Sequence, residues 1–338
     1  MKKRIVLDQI RPGSRFSDDV FIDEKNLLVP ANVAVKQRDL DTLKRWGVNF
    51  VITEGGLIEE AAAKQGLAQG EAAKLPQGFV GSRELYGLYT GLVEGLGQVF
   101  ARIRGNEAVE TKAVDQLSQG VLGLLRDRKD ATLSAILSAE TSEYNPARAA
   151  VDCAILSVVI GTALRLPPYR LGYLATGALL HDAGMLRIPE SILRKNGSLT
   201  EEEAQKIRAH PLLSYRIVTK DLLYPDDVGL IGLQHHERWD GDGYPRKTGG
   251  QEIDVLARIV SVADAFEAMV SSKPYRNSMI GYAAMKALLS DNSRRFDPDI
   301  IKAFIKSMGI YPLGSTVLLN NAAIARVVET HPDAPLRP

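Results

Sequence analysis

Between residues 131 and 310 the apolar residues recur at helical spacing, and this constrains the fold more than any other feature of the 338-residue chain. The spacing predicts helices over about 147–165, 171–184, 200–208, 211–219, 226–237, 255–271, 281–290 and 298–308, with Pro, Gly and Asp clusters between them. Helices of this kind must cover their apolar faces against one another. A mainly α, bundle-type domain over 131–312 is expected.

The flanks read differently. Residues 1–56 form a small mixed β domain on this pattern. Strands are expected at Arg4–Leu7, Val20–Ile22, Leu27–Val29 and Phe50–Ile52, a turn at Arg11–Ser14, and a short helix from Arg38 to Trp46 stopped by Gly47. Residues 57–130 read as a linker followed by a helical segment. Its early part is rich in Ala, Gln, Glu, Lys and Gly up to Pro76. Its later part carries two stripes, Leu85, Leu88, Leu92, Leu96, Phe100 and Val114, Leu117, Val121, Leu124. Such stripes suit either an intramolecular bundle or a homodimer through residues 80–130. Residues 313–338 suggest terminal strands, at Thr316–Leu319 and Ala323–Val328.

Composition excludes several classes. Lys plus Arg is 42 and Asp plus Glu is 41, a net charge of +1. That balance gives no electrostatic case for a nucleic-acid polymer or a membrane surface. The longest apolar stretch, Cys153–Leu166, is about 14 residues and carries Ser157, Thr162 and Arg165, too short to span a bilayer. No apolar run follows the basic Met1–Arg4, so a signal peptide is not expected. The single cysteine, Cys153, rules out a disulfide framework and suits the cytoplasm.

Four of the five histidines, His181, His210, His235 and His236, fall within 56 residues. A scattered histidine is usually solvated, but these have unusual neighbours. His181-Asp182 ends an apolar helix, with Gly184 expected as its C-cap. His210-Pro211 opens another helix. His235-His236 ends a third, and their side chains share a cavity only if they approach from its rim. Asp264 sits mid-helix in Ile259–Phe266. Buried charges of this kind demand partners. Four His and two Asp make a ligand set for two divalent ions, with Fe, Mn, Zn or Ni all suited and Asp182 the natural bridge. Such a pair activates water and neutralises a phosphoryl group.

His181-Asp182-Ala183-Gly184, together with His235-His236-Glu237-Arg238-Trp239-Asp240-Gly241-Asp242-Gly243-Tyr244-Pro245, resembles the HD-GYP family of bacterial cyclic di-GMP phosphodiesterases. The likeness covers about residues 131–310. It implies an HD-type helical domain with a two- or three-metal centre. It also implies hydrolysis of cyclic di-GMP to linear pGpG or GMP. Carried over residue by residue, His181 and Asp182 become the metal-binding pair, with Asp182 also catalytic. His210, His235 and His236 ligate one metal, and Asp264 the other. Asp240, Gly241, Gly243, Tyr244 and Pro245 form the substrate loop, and Lys273 and Arg276 bind phosphate.

Three positions depart from the family pattern. Ala149 stands where a histidine ligand is expected, Asn145 where some relatives carry a glutamate, and Met185 where the HD-x-G-K lysine falls. Loss of one such cation typically costs about 10²–10³ in rate. Asp152, one turn after Ala149, is the possible substitute ligand, against an ordinary reading as a helix-surface acid or a partner of Arg148. These departures support an alternative, a catalytically inactive cyclic di-GMP sensor or scaffold. A cyclic GMP-AMP substrate stays open, because nothing in the sequence reads the base. Hydrolysis of another nucleotide, such as a dNTP or an alarmone, is disfavoured by the Asp240–Pro245 loop.

Overall fold

The computed structural model of the chain describes residues 3–22, 27–31, 33, 35–45, 48–58, 75–76, 79, 81–138, 144–195, 197–271, 281–312, 316–319, 323–327 and 331.

The N-terminal part contains β1 (Lys3–Val6), β2 (Arg15–Phe16), β3 (Val20–Phe21), β4 (Leu27–Val29), α1 (Gln37–Arg45), β5 (Phe50–Thr53) and β6 (Leu57–Ile58). Four strands form an antiparallel sheet in the order β1-β5-β3-β4, with Ile5 opposite Val51. Phe16, Val20, Val29, Val35, Leu40, Leu43 and Val51 fill its core. Leu40 and Leu43 lie three apart on α1, so one helix face covers this core. The β2–β6 pair has no counterpart in the sequence pattern, since two residues are too few to show alternation. Trp46 and Gly47, the expected end of the helix, lie outside the described residues.

The helical part begins with α2 (Arg83–Arg104) and α3 (Thr111–Ser138). The Leu85, Leu96 and Phe100 stripe of α2 and the Val114, Val121 and Leu124 stripe of α3 are buried in the core that holds the other helices. Of the two arrangements that these stripes suit, the intramolecular bundle accounts for their buried residues, while Leu88 stays exposed. Then come α4 (Pro146–Ala163), α5 (Pro168–Leu180), α6 (Glu190–Leu193), α7 (Glu201–Arg208), α8 (His210–Arg216), α9 (Asp226–Gln234), α10 (Val255–Val270), α11 (Gly281–Ser290) and α12 (Pro298–Met308). The protein is mainly α, as its periodicity requires.

Helix α4 is the hub. Every residue from Ala150 to Gly161 is buried. A helix apolar on all sides belongs inside a bundle, and α2, α3, α5, α10 and α12 pack around this one. Pro146–Ala163 is the one described helix long and apolar enough to cross a membrane, and 72% of it is buried inside the protein. It starts at Asn145, whose side chain accepts from the N–H groups of Ala147 and Arg148, with Pro146 in the first turn. Asn145 is therefore a helix cap. The chain closes with a hairpin of β7 (Thr316–Leu318) and β8 (Ile324–Arg326), with Val317 opposite Ala325.

Candidate metal centre

Each histidine reaches the centre because a helix stops or starts there. Helix α5 is buried from Leu174 to Leu180 and ends at His181. Asp182 follows, and residues 183–187 turn away as a short 3-10 helix. Gly184 is not the C-cap expected from sequence. His181 occupies that place, and Gly184 serves close approach: a Cβ there would lie 2.1 Å from the His210 carbonyl oxygen. Its N–H donates to Ser214 Oγ at 2.9 Å, which ties the turn to α8. His210 opens α8, with Pro211 behind it, and His235 and His236 follow the end of α9.

Three rings are fixed in the same way. His181 Nδ1 lies 2.7 Å from the Ala178 carbonyl, His210 Nδ1 2.8 Å from that of Ile207, and His235 Nδ1 2.8 Å from that of Gly232. A carbonyl only accepts, so each Nδ1 carries the proton and each Nε2 of a neutral ring presents a lone pair. Those lone pairs converge. His210 Nε2 is 3.1 Å and His235 Nε2 3.5 Å from Asp182 Oδ1, and the two nitrogens are 3.4 Å apart. Asp182 Oδ1 is itself buried without a hydrogen-bond donor. Acceptors facing acceptors at such distances call for a cation between them. Ligand atoms of Asp182, His210, His235 and His236 all lie within 4.8 Å of one another. The adjacent pair His235 and His236 does reach one site, with ring centroids 4.1 Å apart.

A second group shares Asp182. His181 Nε2 is 3.7 Å from Asp182 Oδ2 and 3.7 Å from Asp264 Oδ1, the latter carried mid-helix on α10. Asp182 thus turns one oxygen to each group. Burial pushes His235 down, and burial beside the His235 ring pushes His236 well down. Both are neutral at pH 7, the form that binds metal. Burial also opposes protonation of His181, but Asp182 and Asp264 outweigh it and carry the ring up to about 9. Burial opposes ionisation of Asp264, yet its hydrogen bond with His181 holds it down at about 2.

The loop after His236 is built around Glu237. This buried carboxylate accepts from Arg246 N at 2.7 Å and Thr248 N at 3.1 Å, closing residues 238–248 into a tight lobe. Gly241 takes φ +83°, and a Cβ on Gly243 would lie 2.4 Å from Arg238 N, so both positions need glycine. Asp240 is paired twice with Arg238, at 2.9 and 2.5 Å, and that hydrogen bonding holds its carboxyl down at about 2. Tyr244 stacks on His236, with centroids 4.8 Å apart and planes 23° apart, and Pro245 beside it is exposed. Lys273 and Arg276 lie outside the described residues. The role of Glu237 was missed in sequence, although an acid directly after the two histidines marks it.

Asp152 is not brought into this cluster, nor is it a surface acid. It is 1% exposed, and Oδ1 accepts from Tyr89 Oη at 2.7 Å. The Arg148 guanidinium lies over the Tyr89 ring at 5.6 Å. Burial, then the charge of Glu267, pushes Asp152 up to about 8, against Tyr89 and Arg148. Its helix neighbour Ala149 offers no ligand, and Met185 is half-buried in the turn after Gly184.

The family model described as HD domain matches residues 132–300, and one described as KOW domain associated with HD domain matches 316–338. Over 240 residues the chain is 30% identical to cyclic di-GMP phosphodiesterase PA4108 of Pseudomonas aeruginosa, covering 71% of this chain and 58% of that relative. Over 318 residues it is 26% identical to cyclic di-GMP phosphodiesterase PdeB of Borreliella burgdorferi, covering 93% of this chain and 82% of that one. Among solved structures, Bd1817, an HDGYP protein from Bdellovibrio bacteriovorus, superposes with a TM-score of 0.53 at 16% identity. That match covers 90% of this chain and 98% of Bd1817, a likeness of fold.

Proposed function

The chain belongs to the HD domain family, in its HD-GYP branch, and on that premise we propose that it hydrolyses a cyclic dinucleotide, cyclic di-GMP, in a metal-dependent reaction. The observation that carries this is the convergence of bare imidazole nitrogens on Asp182 Oδ1. Divalent ions held there supply activation of water and neutralisation of phosphoryl charge. Asp182, His210, His235 and His236 would hold one ion, and His181, Asp182 and Asp264 the other. Fe or Mn suits this oxygen and nitrogen set, with Zn or Ni as alternatives.

The remaining residues bind and orient. Burial pushes the Tyr244 phenol well above its usual range, so its hydroxyl stays a donor at neutral pH. Its ring, already packed on His236, offers a face for a nucleobase or ribose. Asp240 is engaged by Arg238 and shapes the loop. Lys273 and Arg276 carry the phosphate role that the family resemblance gives them. The product is linear pGpG or GMP, formed in a cytoplasmic setting that suits the buried thiol of Cys153.

A second reading has its own support. The His181 side has lost an imidazole to Ala149, and Asp152 is held by Tyr89. A protein with one weakened position binds cyclic di-GMP without cleaving it. One experiment separates the two. Protein loaded with Mn²⁺ or Fe²⁺ under anaerobic conditions is incubated with cyclic di-GMP and the nucleotides are resolved by chromatography. Linear product is expected. Bound but intact nucleotide would establish the sensor, and absence of binding would overturn both.

A further inference from the structure

A cyclic dinucleotide carries two phosphodiesters, and a single metal centre engages one of them. The other keeps its negative charge and needs a partner elsewhere on the rim. Several cations border the loop. Arg238 is committed to Asp240, and Arg258 to Asp297 at 2.6 Å. Arg208 and Arg295 differ. Arg208 ends α7, next to Ile207, whose carbonyl fixes His210. Its side chain is 59% exposed and meets Glu201 at 3.6 Å, itself 73% exposed. An ion pair this open holds its partner weakly. Arg295 lies under the loop. Its carbonyl accepts from Trp239 N at 3.1 Å, and that of Arg294 from Asp240 N at 2.9 Å. The Arg295 guanidinium rests 4.9 Å from the Phe296 ring centroid, and among the described residues no carboxylate pairs with it.

We propose that Arg208 and Arg295 form a second phosphate site beside Tyr244, which binds the phosphodiester not held at the metal centre. This rests on the cyclic dinucleotide reading above. It is independent of Lys273 and Arg276. The two arginines come from separate elements, α7 and the turn before α12, and the backbone ties each to opposite parts of the site, His210 and the Asp240 loop. His210, held by the carbonyl next to Arg208, lies 6.4 Å from the Tyr244 ring, centroid to centroid, and Tyr244 belongs to the loop that the Arg295 turn anchors. A guanidinium is the suited partner, since its planar fork meets two phosphate oxygens at once. Both loop anchors of the Arg295 turn are main-chain groups, so truncating the side chain leaves them intact.

The test is titration of Mn²⁺-loaded full-length protein with a non-hydrolysable phosphorothioate analogue of cyclic di-GMP. Arg208→Ala and Arg295→Ala should each weaken Kd about tenfold, the double variant more, with metal content unchanged. Arg→Lys at either position should restore part of the loss. The double variant should also show a flatter dependence of Kd on salt. Arg102→Ala, an exposed change on α2, serves as the charge control and should bind as the parent does. Parent binding with a double variant that binds within about twofold of it would overturn the second phosphate site. A metal-loaded parent that fails to bind the analogue would instead overturn the cyclic dinucleotide reading, and the rim site with it.

Discussion

Helix α10 carries a carboxylate into each of two buried polar clusters, Asp264 toward His181 and, one turn on, Glu267 toward the surroundings of Asp152. In the second cluster both acids meet donors: Tyr89 Oη donates to Asp152 and Ser271 Oγ donates to Glu267 at 2.5 Å, while Arg148 lies over the Tyr89 ring with Nε and Nη1 left without an acceptor among the described residues. In the first cluster acceptors meet acceptors at Asp182 Oδ1, because carbonyls claim the Nδ1 protons of His210 and His235. Both sit in the same helical core. Burial of polar groups therefore does not mark a metal site. The direction of the lone pairs does, since a satisfied network stands alone and an unsatisfied one needs a cation.

The largest expected effect comes from Asp182→Asn, which removes the charge that both halves of the first cluster share. Turnover of cyclic di-GMP should fall by roughly 10³-fold, beyond the about 10–100-fold typical of an outer-shell partner. Metal content by elemental analysis should drop with it. A variant that kept its full metal load would break the contrast, because the facing acceptors would then not be what holds the ion.

Chelation follows in size. An ion present at about 100 times its Kd stabilises the native state by about 2.7 kcal/mol, or about 4 °C in Tm for a chain of 338 residues. Calorimetry with and without a chelator should show that drop in the parent and in Asp152→Asn alike. A drop that disappeared in Asp152→Asn would place that residue among the ligands.

What the sequence showed and what it hid have physical causes. The helices were legible because one-sided burial writes a period into α2, α3 and α12. The first cluster was legible because His181, Asp182 and Asp264 are costly in apolar helix ends and interiors, and the glycines of the 240–245 loop mark backbone that no other residue fits. Asp152 was hidden because α4 is buried on every side, so its pattern names no face. Its partner Tyr89 lies 63 residues earlier, in a stretch read as a linker and helical segment. Gly184 misled for a related reason: a glycine after a helix reads as a cap, while here the His210 carbonyl excludes any side chain.

The satisfied cluster makes its own pH prediction. Burial and Glu267 raise Asp152 to about 8 in the folded protein. An unfolded aspartate titrates near 4. Between these values the folded state holds the extra proton, so the contribution of Asp152 to stability is full below about pH 4 and is lost as the pH rises toward 8. Asp152→Asn keeps the acceptor for Tyr89 and removes the ionisation. It should be more stable than the parent by about 1–3 kcal/mol near pH 8, with the gain gone near pH 4. Denaturant melts at the two pH values read this directly, and an equal gain at both would refute the titration.

Tyr89→Phe is the smallest change and tests the separation of the clusters most sharply. It removes one hydroxyl, leaves the ring under Arg148, and takes from Asp152 its short hydrogen bond. The cost should be about 1–2 kcal/mol of stability. Above about pH 8, where Asp152 is ionised, the cost should also be smaller in the Asp152→Asn background, where the hydrogen bond lost is between neutral groups. Metal content and kcat should not move, because the Tyr89 hydroxyl donates to Asp152, which is not a member of the first cluster. If Tyr89→Phe released metal at unchanged fold, the two clusters would be one network. Helix α2 would then act on the centre through Asp152, and the contrast between satisfied and unsatisfied cores would fail in this protein.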